Sequence, residues 1–260
     1  MWKILKYSFT DLFRSKWNFI YFIFFLLVSQ GMIYFSGNLA KSAAGMMNII
    51  LFLCSLIGVM FGSIYYYNSR EFIQLLLAQP LKRSSIFIGH YMGMTLSLVT
   101  AFVLGTGIPF ALNGIFMTEY AMNFLYLLLS GAFLTSIFAA ISYLISLKSE
   151  NRLAGFGISI LAWLFMAVIY DGLFMASLIV FDDYPLDTYS LIASMLNPID
   201  ITRIMIVLKL DISALMGYTG AIFKQFFGSP LGISVSLSVL VLWCLLPVFF
   251  IRNVAMKKDF

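Results

Sequence analysis

Apolar residues run along this chain in long blocks, separated by short clusters of charge, proline and glycine. Six blocks stand out, at residues 17–35, 46–67, 86–111, 122–147, 153–181 and 231–251. Each matches or approaches the roughly 20 residues that an α-helix needs to cross the hydrocarbon core of a bilayer. None alternates polar and apolar residues with the period of two that marks a half-buried strand. The pattern predicts an all-α integral membrane protein with six transmembrane helices in one domain over 1–260. Gly105, Gly107 and Pro109 are expected to bend the end of the third span.

Three segments fall outside these blocks. Residues 1–16 carry Ile4, Leu5, Phe9, Leu12 and Phe13 on one helical face, with Lys3, Lys6, Asp11 and Arg14 mostly elsewhere. Such a helix lies in the membrane interface, either as an anchor or as an elbow at a subunit contact. Residues 70–83 place Phe72, Leu75, Leu76 and Gln79 at i, i+3, i+4 and i+7, and Pro80 then stops the helix. This short helix is suited to a groove in a soluble partner, or to lying on the membrane. Residues 182–230 open on Asp182, Asp183 and Pro185. At Asn197-Pro198-Ile199-Asp200 a capping residue, a first-turn proline and a first-turn acid announce a helix. Ile201, Ile204, Met205 and Leu208 form its stripe, and an aromatic, glycine-punctuated patch follows at 216–227. The segment is expected as helices on the outer membrane surface, forming either a platform for a partner or a lid.

Composition agrees. The 260 residues are 62% hydrophobic and 10% charged, with a mean hydropathy of +0.99. That leaves too little polar surface for a soluble domain and excludes intrinsic disorder. Twelve of the sixteen Lys and Arg residues fall on one side of a six-span topology, in 1–16, 70–83, 148–152 and the C-terminal tail. Lys41, Arg203, Lys209 and Lys224 fall on the other. The positive-inside rule therefore puts both termini in the cytoplasm, with Trp17 and Tyr65–Tyr67 as interfacial anchors. Glu119, Asp182, Asp183, Asp187, Asp200 and Asp211 gather outside. The net charge of +5 reflects this loop bias; no basic stripe with interleaved aromatics points to nucleic acid. The first span is too long for a signal peptide, and Asp11 precedes it.

The chemistry of soluble enzymes is missing. The sequence has no GxxxxGK[ST] phosphate loop, no HExxH and no GxSxG. A single histidine, His90, excludes a zinc site built mainly from histidines, and it reads as a helix-end residue with a local hydrogen bond. Cys54 and Cys244 sit in apolar runs without CxxC spacing. Met46-Met47, Met92 with Met94, and Met166 with Met175 give no three-ligand cluster for copper(I), so no metal site and no resident cofactor are assigned. Asp171 is the one acid deep within a block. A carboxyl group there is expensive, so it serves either a buried helix–helix hydrogen bond or the translocation path and its gating.

Six spans, an amphipathic N-terminal helix and a short helix after span two resemble the membrane subunit of type-2 ABC transporters. The resemblance is carried by Glu71 to Arg83, with Leu75-Leu76-Leu77 and Pro80-Leu81, and by Ile88-Gly89-His90-Tyr91-Met92-Gly93, where His90 replaces the lysine often found in relatives. Tyr170-Asp171-Gly172-Leu173 and Leu196 through Ile204 are similar to permeases that serve the maturation of nitrous oxide reductase. The resemblance implies a homodimer in the bacterial inner membrane. It implies a cytoplasmic coupling helix at 70–83 that contacts an ABC ATPase dimer through Glu71, Phe72, Leu75, Leu76, Pro80 and Arg83. ATP and magnesium would belong to that ATPase, so this chain is a permease and not an enzyme. Asn197, Pro198, Asp200 and Arg203 would hold a periplasmic β-helical protein, and the cargo would be a sulfur species or copper for a copper–sulfur centre. Two other readings fit the residues: a type-2 exporter of a drug, lipid-linked glycan or peptide, and a membrane scaffold that transports nothing. An intramembrane enzyme would need a second polar partner for Asp171, which the spans do not supply.

Overall fold

The computed structural model describes residues 1–181, 187–209 and 230–257. It is an all-α integral membrane protein. Helix α1 is Trp2–Phe13, followed by α2 (Lys16–Ser36), α3 (Leu39–Asn68), α4 (Arg70–Leu77), α5 (Arg83–Leu112) and α6 (Ala121–Lys148). Next comes α7 (Arg152–Leu164), which continues through a π-helical turn at Phe165–Ile169 into α8 (Tyr170–Val180). The chain ends with α9 (Asp187–Met195), α10 (Pro198–Lys209) and α11 (Pro230–Lys257). Among the described residues, helices α2, α3, α5, α6, the α7–α8 composite and α11 are the six long and apolar enough to cross a bilayer.

The centre of the bundle is the contact between α3 and α6. Gly58 and Gly62, four residues apart, share a face of α3. A Cβ on Gly58 would lie 2.9 Å from the Thr135 carbonyl oxygen, and one on Gly62 would lie 2.7 Å from that of Ala139. The backbones therefore meet directly, the arrangement that lets helices adhere where no hydrophobic drive separates protein from lipid. Serine hydroxyls fasten the same seam. Ser142 donates to the Val59 carbonyl at 2.5 Å, Ser146 to Ser63 at 2.8 Å, and Ser63 to Ser159 of α7 at 3.1 Å. The Trp163 indole donates to Ser55 at 2.9 Å, so α7 is tied to α3 at two levels.

A second pair of glycines seats α1. Cβ atoms on Gly89 and Gly93 of α5 would lie 3.1 Å from the Met1 carbonyl oxygen and 2.6 Å from that of Leu5. Ile4, Ser8 and Leu12 form the buried face of α1, while Phe13 is exposed. The N-terminal helix is thus docked within its own chain on a narrower stripe than the sequence suggests. Helix α5 runs unbroken through Pro109 to Leu112. Tyr65 and Tyr66 are buried and do not serve as interfacial anchors, whereas Trp17 is exposed. His90 is buried too. It stacks on Tyr65 at 4.5 Å, and its Nδ1 lies 3.2 Å from the Tyr143 hydroxyl of α6, so its bond is long-range and not local.

Gly62→Val is expected to destabilise the protein by about 1–3 kcal/mol through overpacking at the α3–α6 seam. Gly157→Ala, with open space around its Cα, is expected to be neutral. Thermal unfolding of both variants in the same detergent checks this.

Candidate functional site

Two features can do mechanical or recognition work. The first is α4. Proline disfavours helix in the residue before it, and the helix ends at Leu77, ahead of Pro80. Ile73 is its buried residue, and Phe72 stacks on Tyr7 of α1 at 4.7 Å. Leu76 is partly buried against the core. Glu71, Gln74 and Leu75 face outward, with Leu75 68% exposed. Pro80 and Arg83 are exposed where the chain turns into α5. The expected stripe therefore splits: Phe72 and Leu76 hold the helix to the bundle, and Leu75 is the one apolar side chain it offers outward.

The second feature is a polar centre within the bundle. Tyr170 of α8 donates to the Ala193 carbonyl at 2.6 Å, and Tyr189 of α9 donates to Ser177 at 2.9 Å. Helix α9 therefore runs antiparallel along α8. The chain then turns, and α10 leaves at 115°. Asn197 sits in that turn. Its Nδ2 donates to the Met166 carbonyl at 2.8 Å and to Asp200 Oδ2 at 2.9 Å, and its Oδ1 accepts from the Ile199 N–H at 3.0 Å. Met166 belongs to the π-helical turn and lies midway along Arg152–Val180, about 21 Å from either end at 1.5 Å per residue. The tip of the α9–α10 hairpin thus reaches mid-span.

This corrects the expectation of helices lying on the outer surface. Residues 198–207 of α10 are all buried except Arg203. Asn197, Pro198 and Asp200 face the interior, and their polar atoms serve the chain itself. The aromatic patch at 216–227 lies outside the described residues. The correction also supplies Asp171 with the partner its own span lacks. Arg203 Nη1 lies 3.0 Å from Asp171 Oδ2 and 3.4 Å from Asp200 Oδ1. Asp200 is almost enclosed, while Asp171 and Arg203 are about 30% and 28% exposed. Charges exposed to hydrocarbon are costly, so this open side is suited to protein or a polar cleft and not to lipid. One guanidinium thus lies between two carboxylates and links α8 to α10. Among the described residues, no three His, Cys, Asp or Glu side chains are placed to hold a metal ion.

No protein-family profile matches the chain. Two curated proteins do. A probable ABC transporter permease protein NosY from Stutzerimonas stutzeri is 24% identical over 95% of this chain and 92% of its own length. A protein of the same name from Pseudomonas aeruginosa is 23% identical over 96% of this chain and 93% of its own. The likeness supports a membrane permease of an ABC transporter.

Arg203→Gln is expected to destabilise the chain more than Asp171→Asn, because it leaves two carboxylates facing each other, whereas Asp171→Asn leaves the Arg203–Asp200 pair. Losses of about 1–3 kcal/mol are expected for an uncompensated, partly enclosed charge. Denaturation midpoints of the two single variants and the double variant test the order.

Proposed function

We propose that this chain is the permease of an ABC transporter that moves a sulfur species, or copper, for assembly of the copper–sulfur centre of nitrous oxide reductase. The observation that carries this reading is the likeness to permeases named NosY over nearly the whole chain. In this reading the protein lies in the bacterial inner membrane with both termini in the cytoplasm, and two copies pair. Each α4 sits on one subunit of an ABC ATPase dimer, which binds ATP and magnesium. Glu71 and Leu75 make the contact, while Phe72 and Leu76 transmit it inward.

A periplasmic β-helical protein is the outer partner. Asn197, Pro198 and Asp200 are turned inward and do not form its docking surface. The hairpin tip acts as a barrier at mid-span, and the Asp171–Arg203 pair keeps it closed. ATP-driven movement of the two copies shifts the balance between clasped and released hairpins.

The test is affinity purification from native membranes in mild detergent, with mass spectrometry of the recovered partners. An ABC ATPase and a β-helical periplasmic protein are expected together. Leu75→Asp with Glu71→Lys is expected to lower ATPase recovery about tenfold, equivalent to roughly 1.4 kcal/mol. A deletion strain is expected to lack a complete copper–sulfur centre. Recovery of the ATPase alone, with an intact centre, would transfer the permease to a different cargo. Recovery of no ATPase from folded protein would overturn the transporter reading.

A further inference from the structure

Where α1 turns into α2 and α3 passes into α4, the surface of the bundle carries an open pocket of about 530 Å³, with Asp11, Arg14 and Asn68 exposed at its mouth. It lies where α2 begins and α3 ends, beside α1 and α4, a position that the apolar length of these spans sets at a membrane interface. One wall is apolar, formed by Phe61 and Ile64 of α3. The other end is polar: Arg14 and Ser15 come from the elbow, and Asn68 and Ser69 from the end of α3. Ser15 and Ser69 are the residues that open α2 and α4, yet neither hydroxyl caps its helix. Among the described residues, no hydrogen bond or ion pair engages the side chains of Arg14 or Asn68. Asp11 lines the same pocket. Its Oδ2 accepts from the Tyr65 hydroxyl at 3.1 Å, which fixes the carboxylate while leaving Oδ1 open. Asp11 and Arg14 make no ion pair with each other.

One pocket therefore offers a cation, an anion held apart from it, three further hydrogen-bonding side chains and an apolar wall. A ligand that satisfies all of these carries both charges on its head and a hydrocarbon tail. We propose that this pocket binds a phospholipid with a phosphoethanolamine head group. The phosphate accepts from the Arg14 guanidinium, Asn68 and the two serine hydroxyls. The primary ammonium donates to Asp11, and an acyl chain lies along Phe61 and Ile64. A guanidinium presents several donors to a phosphate, and charge-assisted hydrogen bonds are the strong ones. A choline head cannot donate to Asp11, and a glycerol head offers it no charge. The site depends on the membrane fold alone and stands whatever cargo the permease carries.

The experiment is native mass spectrometry of the purified full-length protein with equimolar phosphatidylethanolamine, phosphatidylcholine and phosphatidylglycerol. The wild type is expected to retain phosphatidylethanolamine about three- to tenfold over each of the others, the scale of one charge-assisted bond. Arg14→Gln is expected to lower retention of all three lipids severalfold. Asp11→Asn is expected to abolish the preference for ethanolamine. Tyr65→Phe, which removes the bond to Asp11 but keeps its charge, is expected to retain the preference, and so is Lys148→Gln at the end of α6. Soluble glycerophosphoethanolamine is expected to give no adduct, because it leaves the apolar wall bare. Equal retention of the three lipids by the wild type, a preference for phosphatidylglycerol, an unchanged preference in Asp11→Asn, or a soluble-head adduct as strong as the lipid's would each overturn the proposal.

Discussion

The close approach of α3 to α6 is the constraint on which the rest of the bundle depends. Lipid solvates leucine and phenylalanine side chains as well as protein does, so apolar surface alone gives two membrane helices little reason to stay together. Gly58 and Gly62 remove the side chains that would hold the backbones apart. The carbonyls and hydroxyls brought together in this way would be costly if left unpaired. Ser142, Ser63, Ser146 and Ser159 pair them. Shape and hydrogen bonding are satisfied by the same few residues, and α7 is drawn into place through Ser159 and Trp163. With α3, α6 and α7 fixed, the π-helical turn that receives Asn197 has a defined position.

Asn197 has a comparable role for the hairpin. Its three hydrogen bonds reach Met166 of the fifth span, the start of α10 and the side chain of Asp200. Removing any of these leaves a polar group without a partner in an apolar setting, where the cost is set by lost solvation and not by the modest net value of the bond. The Asp171–Arg203 pair stands on this support: Asn197 positions Asp200, and Asp200 faces Arg203 from the enclosed side. The Trp243 indole of α11 donates to the Met195 carbonyl at 3.1 Å, closing the hairpin tip from the other flank. The tip is therefore held by short polar contacts to two different spans, and relative movement of those spans acts on it directly.

The six spans, the short helix after span two and the capped helix at Asn197 were all legible, because each rests on a local signal of run length, amphipathic period or capping chemistry. The depth of the hairpin was not. Asp200 and Arg203 read as surface residues because charge density near a helix start normally marks solvent exposure. Asp200 is buried and Arg203 half-buried instead, and the pairing of Arg203 with Asp171, 32 residues earlier, lies outside any local window. The cost of a carboxyl group inside an apolar block marks Asp171, but its partner Arg203 comes from α10, whose own sequence reads as a surface helix. The same limit applies to α4. Periodicity identified an apolar stripe, but only the positions of α1 and α5 decide that Ile73 and Phe72 turn inward while Leu75 turns out. Nor could the Gly89 and Gly93 spacing be assigned to α1 docking without knowing that Leu5 and Ser8 lie against it.

These placements connect α4 with the hairpin tip. Helix α4 is too short to be stable alone, so its orientation is set by Ile73 beneath it and by the Phe72–Tyr7 stack. Tyr7 belongs to α1, and α1 is locked to α5 at Gly89 and Gly93. Tyr65 joins the same assembly, donating to Asp11 of α1 and stacking on His90 of α5. Helix α4 is thus joined to α1 and α5 by packed side chains and not by a loose loop, and the His90–Tyr143 contact carries the same chain of contacts on to α6. Helix α6 packs in turn against α3, α7, α10 and α11, so a continuous set of packed helices lies between α4 and the hairpin tip.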